Sequence, residues 1–388
     1  MSLLQPFSLP TLEALLPTFK ASAVARDQQG GHPAFEKALL KQAGLLNLAI
    51  PQDFGGADLS IKALYQSTRQ LAATDSALAH ILAFHHLQVF TIRLYGNHEQ
   101  QARLLGQTVE QCLWWGNAMN PVDLRLSATK VAGGYLLNGV KGFCSGSRGS
   151  DWMTFSARVG DKPSPLIGVL PTVEATPLDD WNPIGQRQTD SVSVSFNDVF
   201  VPFDNILKDE HTSLSPWQTL RTCLAQFVFV NLYLGIAEGA LTEGCDFINH
   251  HAFAWPASGL TKRSDDPFQQ NRIGLLAASL QGAKSLADRA ANVLELALAR
   301  GEALTADERG EVAIAVAEAK VLAHQISLSA STELFEMTGA KGSHQSLGLD
   351  RFWRNARTHT LHDPIDYKLN QIGRWHLLGL GPDPKSYS

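Results

Sequence analysis

The sequence predicts an α+β chain, mostly α, in which helices come first, a compact sheet region follows and a helical bundle closes the fold. Three observations carry this. Apolar residues recur with helical spacing up to about residue 112, and the period then drops to two over roughly 113–210. Beyond "SLSPWQ" the helical spacing returns in segments long enough for a four-helix bundle. The expected domains are therefore 1–112, 113–210 and 211–388.

In the first region, "HPAFEKALLKQAGLL" places Phe35, Ala38, Leu39 and Gln42 on one predicted helix face, with Gly44 as its stop. "AIPQDFGGADLS" reads as a turn. Ser60 is a predicted cap for "IKALYQSTRQLAAT", and Thr74, Asp75 or Ser76 for "ALAHILAFHHLQVFTIRLYG". The latter helix carries His80, His85 and His86. Neighbouring residues on a helix point about 100° apart, so at most one of His85 and His86 faces a given pocket.

In the second region, "SATKVAGGYLLNGVKGFCSG" is a hairpin signal with Gly133-Gly134 as the turn. "DWMTFSARV" and "PLIGVLP" continue the sheet. "SVSVSFNDVFVP" alternates as a strand with one wet and one dry face. The third region reads as helices over about 216–253, 268–300, 306–339 and 365–377.

Composition narrows the function. The 388 residues are 44% hydrophobic and 18% charged, with a formal net charge of -5, which argues against nucleic acid or an anionic membrane as the main partner. Cys112, Cys144, Cys223 and Cys245 lack metal-ligand spacing and suit reduced thiols in a cytoplasmic protein. No metal is expected. The start, "MSLLQPFSLPTLEALLP", lacks the pattern of a signal peptide, and the most apolar segment, "LAQFVFVNLYLGIA", is interrupted by Gln226 and Asn231, so a soluble protein is expected.

Several stretches together resemble the acyl-CoA dehydrogenase superfamily. They are "IPQDFGGADLS", "LNGVKGFCSGSRGSDWM", "IGQRQTDSVSVSFNDVFVPFDNIL", "FEMTGAKGS" and "FWRNARTHTLHDP", in the family's order over about residues 45–370. The resemblance implies a flavin between the β domain and the C-terminal bundle, in a homotetramer. It puts Ser145 at the edge of the flavin ring, with Phe143 in place of the family's Trp beside it. Asn117 falls at the pyrimidine side and Trp181 beside the ring. Arg272 is implied at the phosphate, and Gly339 where a neighbouring subunit's cofactor approaches. Without the resemblance, Ser145 and Asn117 read equally as loop residues that satisfy local backbone, and Trp181 as packing.

The dehydrogenases take a proton from carbon with a Glu near the C-terminus. Counting from Arg354-Asn355-Ala356, that position is Asp363, one methylene shorter, preceded by His362. Some members place the Glu after the β domain instead, but residues 211–237 contain no carboxylate. A misplacement of about 1 Å can cost ~100-fold in rate, so Asp363 is a poor substitute. "FCSG", "WGNA", "DPFQQNRIG" and "FWRNARTHTLHDP" resemble more closely the flavin-dependent monooxygenase branch that includes dibenzothiophene monooxygenases.

That resemblance implies reduced FMN from a separate flavin reductase, reaction with oxygen to a flavin hydroperoxide, and oxygen transfer to a small sulfur- or nitrogen-containing substrate. The implied catalytic residues are His362 as proton donor, Ser145, Asp363 and His86 or His85, with Trp114, Phe143 and Trp181 as walls. His359 reads as structural. Two alternatives stay open at this stage: an FAD-dependent acyl-CoA dehydrogenase using Asp363 as base, and a flavin-binding paralogue without catalysis.

Overall fold

A computed structural model describes residues 9–162 and 164–384. Positions 1–8, where the reading of the N-terminal stretch begins, lie outside the described residues. In chain order the first helices are α1 (Pro10–Glu13), α2 (Leu16–Gln29), α3 (Ala34–Gln42), α4 (Ile61–Thr74), α5 (Ser76–Tyr95) and α6 (His98–Gln111). The strands follow as β1 (Trp115–Ala118), β2 (Ser127–Val131), β3 (Gly134–Lys141), β4 (Trp152–Ala157), β5 (Leu166–Pro171), β6 (Thr176–Pro177), β7 (Val194–Pro202) and β8 (Ile206–Lys208). The chain ends in α7 (Leu220–His250), α8 (Pro267–Ala299), α9 (Ala306–Thr338), α10 (Asp350–Thr360) and α11 (Ile365–Leu378).

Local chemistry sets the helix starts. Ser60 accepts a hydrogen bond from the amide of Ala63, and Asp75 accepts from Ala77 and Leu78, each cap stabilising its helix by about 1 kcal/mol. Gly44, at φ 72°, follows the end of α3. The expected buried face of α3 is the wrong one: Phe35 is 63% exposed, while Glu36, Lys37 and Leu40 point inward. Glu36 pairs with Arg26 at 3.1 Å and Lys37 donates to the carbonyl of Arg148 at 2.7 Å. Polar partners, rather than apolar spacing, orient this helix.

The eight strands form two sheets of four, ordered β1-β4-β5-β8 and β2-β3-β7-β6, with β1 and β4 parallel and the remaining pairs antiparallel. A separate core containing Leu137, Met153, Phe155, Val194 and Phe196 belongs to these strands. Val131 pairs with Gly134, so the hairpin turn is Ala132-Gly133, one residue earlier than expected, with Gly133 at φ 80°. The alternation of β7 breaks at Asn197-Asp198, both exposed, where the register slips against β3. There the Asn138 amide donates to Asp198 at 2.9 Å and holds the bulge.

The N-terminal helices and the bundle share one apolar core. In it α7 packs on α4, α5, α8 and α9, which explains why its sequence is apolar on every face. Helices α7 and α9 are long and apolar enough to cross a membrane, but 83% and 67% of their most apolar windows are buried within the fold. The close crossing of α7 over α4 requires glycine: a Cβ at Gly239 would meet the carbonyl oxygen of Ala73 at 2.2 Å. Helix α10, absent from the sequence expectation, packs on α7 and α9 and delivers the C-terminal histidines to that core.

Candidate active site

Beyond β3 the chain turns through Phe143 at φ 58° and Gly146 at φ 66°. The Ser145 backbone is pinned there, since its carbonyl accepts from the amide of Asn117 at 3.0 Å and its amide donates to the carbonyl of Phe143 at 3.1 Å. Its hydroxyl lies 2.9 Å from His80 Nε2 and 3.1 Å from Ser191 Oγ, which is in turn 2.9 Å from Thr189 Oγ1. Thr189 donates to the carbonyl of Gln186 at 3.0 Å. That fixed acceptor sets the direction of the chain: Ser191 donates to Thr189, Ser145 to Ser191, and His80 Nε2–H to Ser145.

His80 comes from the first turns of α5. Its ring stacks on Phe84, one turn along, at 4.2 Å and on His359 from α10 at 4.8 Å between centroids. Burial, with the neighbouring imidazole of His362, pushes the pKa of His80 down to about 3, and burial holds His359 well below the ordinary histidine value. Both imidazoles are neutral near pH 7. His359, which the sequence marked as structural, is thus part of the cluster, and its carbonyl accepts from Tyr233 at 2.9 Å.

The end of α10 brings His362 to the same place. Its ring lies 4.2 Å from Phe229 of α7, whose ring also meets His359 at 5.4 Å. His362 Nδ1 is 2.9 Å from Asp363 Oδ1, and the His362 side chain is 35% exposed. Asp363 is buried and ion-paired with Lys320 of α9. Burial alone would raise its pKa, but the hydrogen bond from His362 and the charge of Lys320 hold it well below the usual carboxylate range. A carboxylate anchored in this way has little basicity with which to take a proton from carbon.

Not every expected residue joins this cluster. His85 is a core histidine: Nε2 meets the carbonyl of Leu46 at 2.8 Å and Nδ1 accepts from the amide of Trp115 at 3.1 Å. His86 is buried with its ring edge-on to His85 at 5.0 Å. The helical turn that separates His80 from these two places the site on a different face of α5. Trp114 packs with His85 and under the ammonium of Lys37, and is not a wall. Phe143 and Trp181 do meet, at 6.0 Å and nearly perpendicular, and Trp181 donates to the carbonyl of Gln186 at 3.0 Å.

Arg272 is paired with Glu333 at 2.6 Å and lies 3.9 Å from Glu336, near the C-terminal end of α9. By helical rise that is about 20 Å from Lys320. Gly339 caps α9 at φ 65° with open space around its α-carbon. Within one chain neither reaches Ser145. The residues that sequence reasoning missed are His80, Phe84, Ser191, Phe229 and Lys320. The available signal for His80 was its i, i+4 spacing to Phe84 on α5.

The site suits a flat, polar-edged ring. Among the described residues, His80 Nδ1, His359 Nδ1, Asn117 Oδ1 and Gln186 Oε1 are buried without a hydrogen-bond partner, and Phe143 is an exposed aromatic beside Ser145. Buried acceptors in this state call for a ligand that donates to them.

Known proteins resolve which family this is. Residues 18–111 match the N-terminal domain of acyl-CoA dehydrogenases, and residues 227–367 match the C-terminal domain. A probable FMNH2-dependent monooxygenase, SfnC of Pseudomonas putida, is 40% identical over 375 residues, covering 95% of this chain and 94% of its own. The chain belongs to the acyl-CoA dehydrogenase superfamily, in its flavin-dependent monooxygenase branch. Dibenzothiophene monooxygenase of Rhodococcus qingshengii, another member of that branch, is 38% identical over 383 residues, with 94% and 92% of the two chains covered.

Solved structures of the branch agree. Methanesulfinate monooxygenase MsuC of Pseudomonas fluorescens superposes with a TM-score of 0.95 at 40% identity over 100% of both chains. FMN-bound TdsC of Paenibacillus sp. A11-2 gives 0.93 at 33% identity over 97% and 99%. The flavin-dependent monooxygenase fold therefore frames the Ser145 and His362 cluster.

Proposed function

We propose that this chain is the oxygenase of a two-component FMNH2-dependent system that oxidises a small sulfur- or nitrogen-containing compound. For a thioether the balance is R2S, O2 and FMNH2 giving R2SO, water and FMN. The observation that carries this reading is the pairing of His362 with an Asp363 already engaged by Lys320. It leaves a proton donor, and no free carboxylate base, at the site. Relatives that are FMNH2-dependent or solved with FMN, and that act on dibenzothiophene or methanesulfinate, support the cofactor and the substrate class.

Bound FMNH2 supplies two electrons for oxygen activation. Ser145 and Asn117 hold the ring edge, and Phe143 and Trp181 cover its face. His80 keeps the Ser145 hydroxyl oriented while remaining neutral. His362 delivers a proton from Nε2 to the departing oxygen, with Asp363 fixing its ring through Nδ1. The apolar floor of Phe84 and Phe229 excludes water that would divert oxygen to hydrogen peroxide.

The enzyme is read as a cytoplasmic homotetramer served by a separate flavin reductase. Exposed Leu275, Leu296 and Leu377 on α8 and α11 support assembly. Arg272 and Gly339, remote from Ser145 in their own chain, then contribute to a flavin held by a neighbour. The test supplies FMNH2 from a reductase, with oxygen and a panel of thioethers, sulfinates and indoles. Oxygenated product formed only when the reductase is present is the expected result. Bleaching of tightly bound FAD by an acyl-CoA would instead establish a dehydrogenase.

A further inference from the structure

The buried ammonium beneath His362 has no part in the reaction just described, and the geometry points to one. Lys320 sits midway along α9 with its side chain 1% exposed, an unusual place for a full positive charge. Three contacts hold it there. It donates to Asp363 Oδ1 and to the Gln226 side-chain oxygen at 2.5 Å, and it lies 5.6 Å above the ring of Phe229. Asp363 Oδ1 is the same atom that His362 Nδ1 approaches at 2.9 Å, and Phe229 is the ring beneath His362. Both supports of the imidazole therefore rest on Lys320.

We infer that Lys320 is a positioning residue of this enzyme: by keeping Asp363 ionised and fixed, it locks His362 in the Nδ1–H form with Nε2 turned toward the reacting oxygen. The inference rests on the role proposed above for His362. A carboxylate shared between an ammonium and an imidazole attracts the imidazole proton less strongly than one facing the imidazole alone. Lys320 therefore also keeps the His362 proton transferable, instead of leaving it trapped in a closed ion pair. An apolar residue here would leave Asp363 without its closest cation and the Gln226 oxygen buried without a donor.

Other groups surround this triad. His80 comes from α5, Arg357 and His359 from α10, His324 from α9, and Asp366 and Lys368 from α11. Helix α7 contributes Gln226, Phe229 and Tyr233, of which the phenol alone titrates, pushed well above its ordinary value by burial and by Asp363. His80 and His359 stay neutral near pH 7, held so by burial.

The test is nitrogen-15 histidine NMR on the full chain without flavin, with the His362 signal assigned by its loss in His362→Gln. In the unsubstituted protein the neutral ring should be the Nδ1–H tautomer. Lys320→Met should move the His362 titration to higher pH by about one unit or more, and Lys320→Arg should leave it near its original position. An unmoved titration in Lys320→Met overturns the inference.

If Lys320→Met does not fold, Asp363→Asn and the double variant Lys320→Met/Asp363→Asn carry the test. Both should lose the tautomer preference to the same extent, because Lys320 acts through the carboxylate. Different tautomer populations in these two variants would show that it does not. With reductase, oxygen and substrate added, Lys320→Met should release a larger share of hydrogen peroxide at neutral pH. A moved titration with an unchanged peroxide share would leave the positioning role standing and remove His362 as the proton donor.

Discussion

His80 Nε2 lies 2.9 Å from the hydroxyl of Ser145, joining a helix of the N-terminal region to the loop that leaves β3. The bond adds a second anchor to a hydroxyl that already donates to Ser191, and it does so from a ring too deeply buried to ionise near neutral pH.

Replacing Ser145 with Ala therefore removes the hydroxyl proposed to meet the flavin edge and leaves His80 Nε2–H without an acceptor. Product formed per FMNH2 should fall by roughly 10- to 100-fold. Unfolding free energy should fall by only about 1–2 kcal/mol, measured by urea titration. An active variant with unchanged yield would exclude Ser145 from the chemistry.

His362→Ala should behave differently. The side chain is partly exposed and contributes little core, so its melting temperature should change by no more than ~2 °C. Hydrogen peroxide should appear in place of product, which a peroxidase-coupled assay beside product chromatography will quantify.

The buried imidazoles predict an acid limb in stability. For His80 and His85 the folded pKa values, about 3 and about 4, lie below the unfolded value near 6.5, because burial disfavours the charged ring. The unfolded chain thus binds more protons throughout that window, and stability present above pH 6.5 is lost as pH falls. Each ring removes about 2 kcal/mol by pH 5. Calorimetry from pH 7.5 to 5 should show a falling melting temperature, and a flat profile would mean that these rings protonate inside the folded protein.

A fourth prediction concerns the loop carrying Trp181, Thr189 and Ser191. A Cβ at Gly185 would meet the carbonyl oxygen of Arg354 at 2.1 Å, so Gly185→Ala must push the loop off α10. It would also disturb the bond from the Gln186 amide to Asn355 Oδ1 at 2.6 Å. FMN affinity should fall at least about tenfold and the melting temperature by several degrees, as overpacking costs about 1–3 kcal/mol. Wild-type affinity in this variant would detach the loop from cofactor binding.

The order of helices, sheet and bundle was legible because periodicity reports which face of an element meets a core. It failed where that premise fails. Nearly every residue of α5 is buried, so no wet face distinguishes His80 from His85 and His86. Helix α3 buries Glu36 and Lys37 through polar partners and exposes Phe35. Helix α10 was missed for a related reason: its polar sequence is fastened by pairs such as Arg354 with Asp27, which come together only in the fold. Ser145, Phe143 and Trp181 were singled out through their motifs, whereas Lys320 and Phe229 lie in unmarked apolar helices and become visible only when α7, α9 and α10 are assembled.

The neutral state of His80 and His359 also bears on what the cleft admits. Two aromatic nitrogen rings there accept or donate without carrying charge, and the opposite charges of Lys320 and Asp363 cancel at short range. An uncharged thioether or indole thus enters without shedding a counterion, whereas a sulfinate would bring its own unbalanced charge.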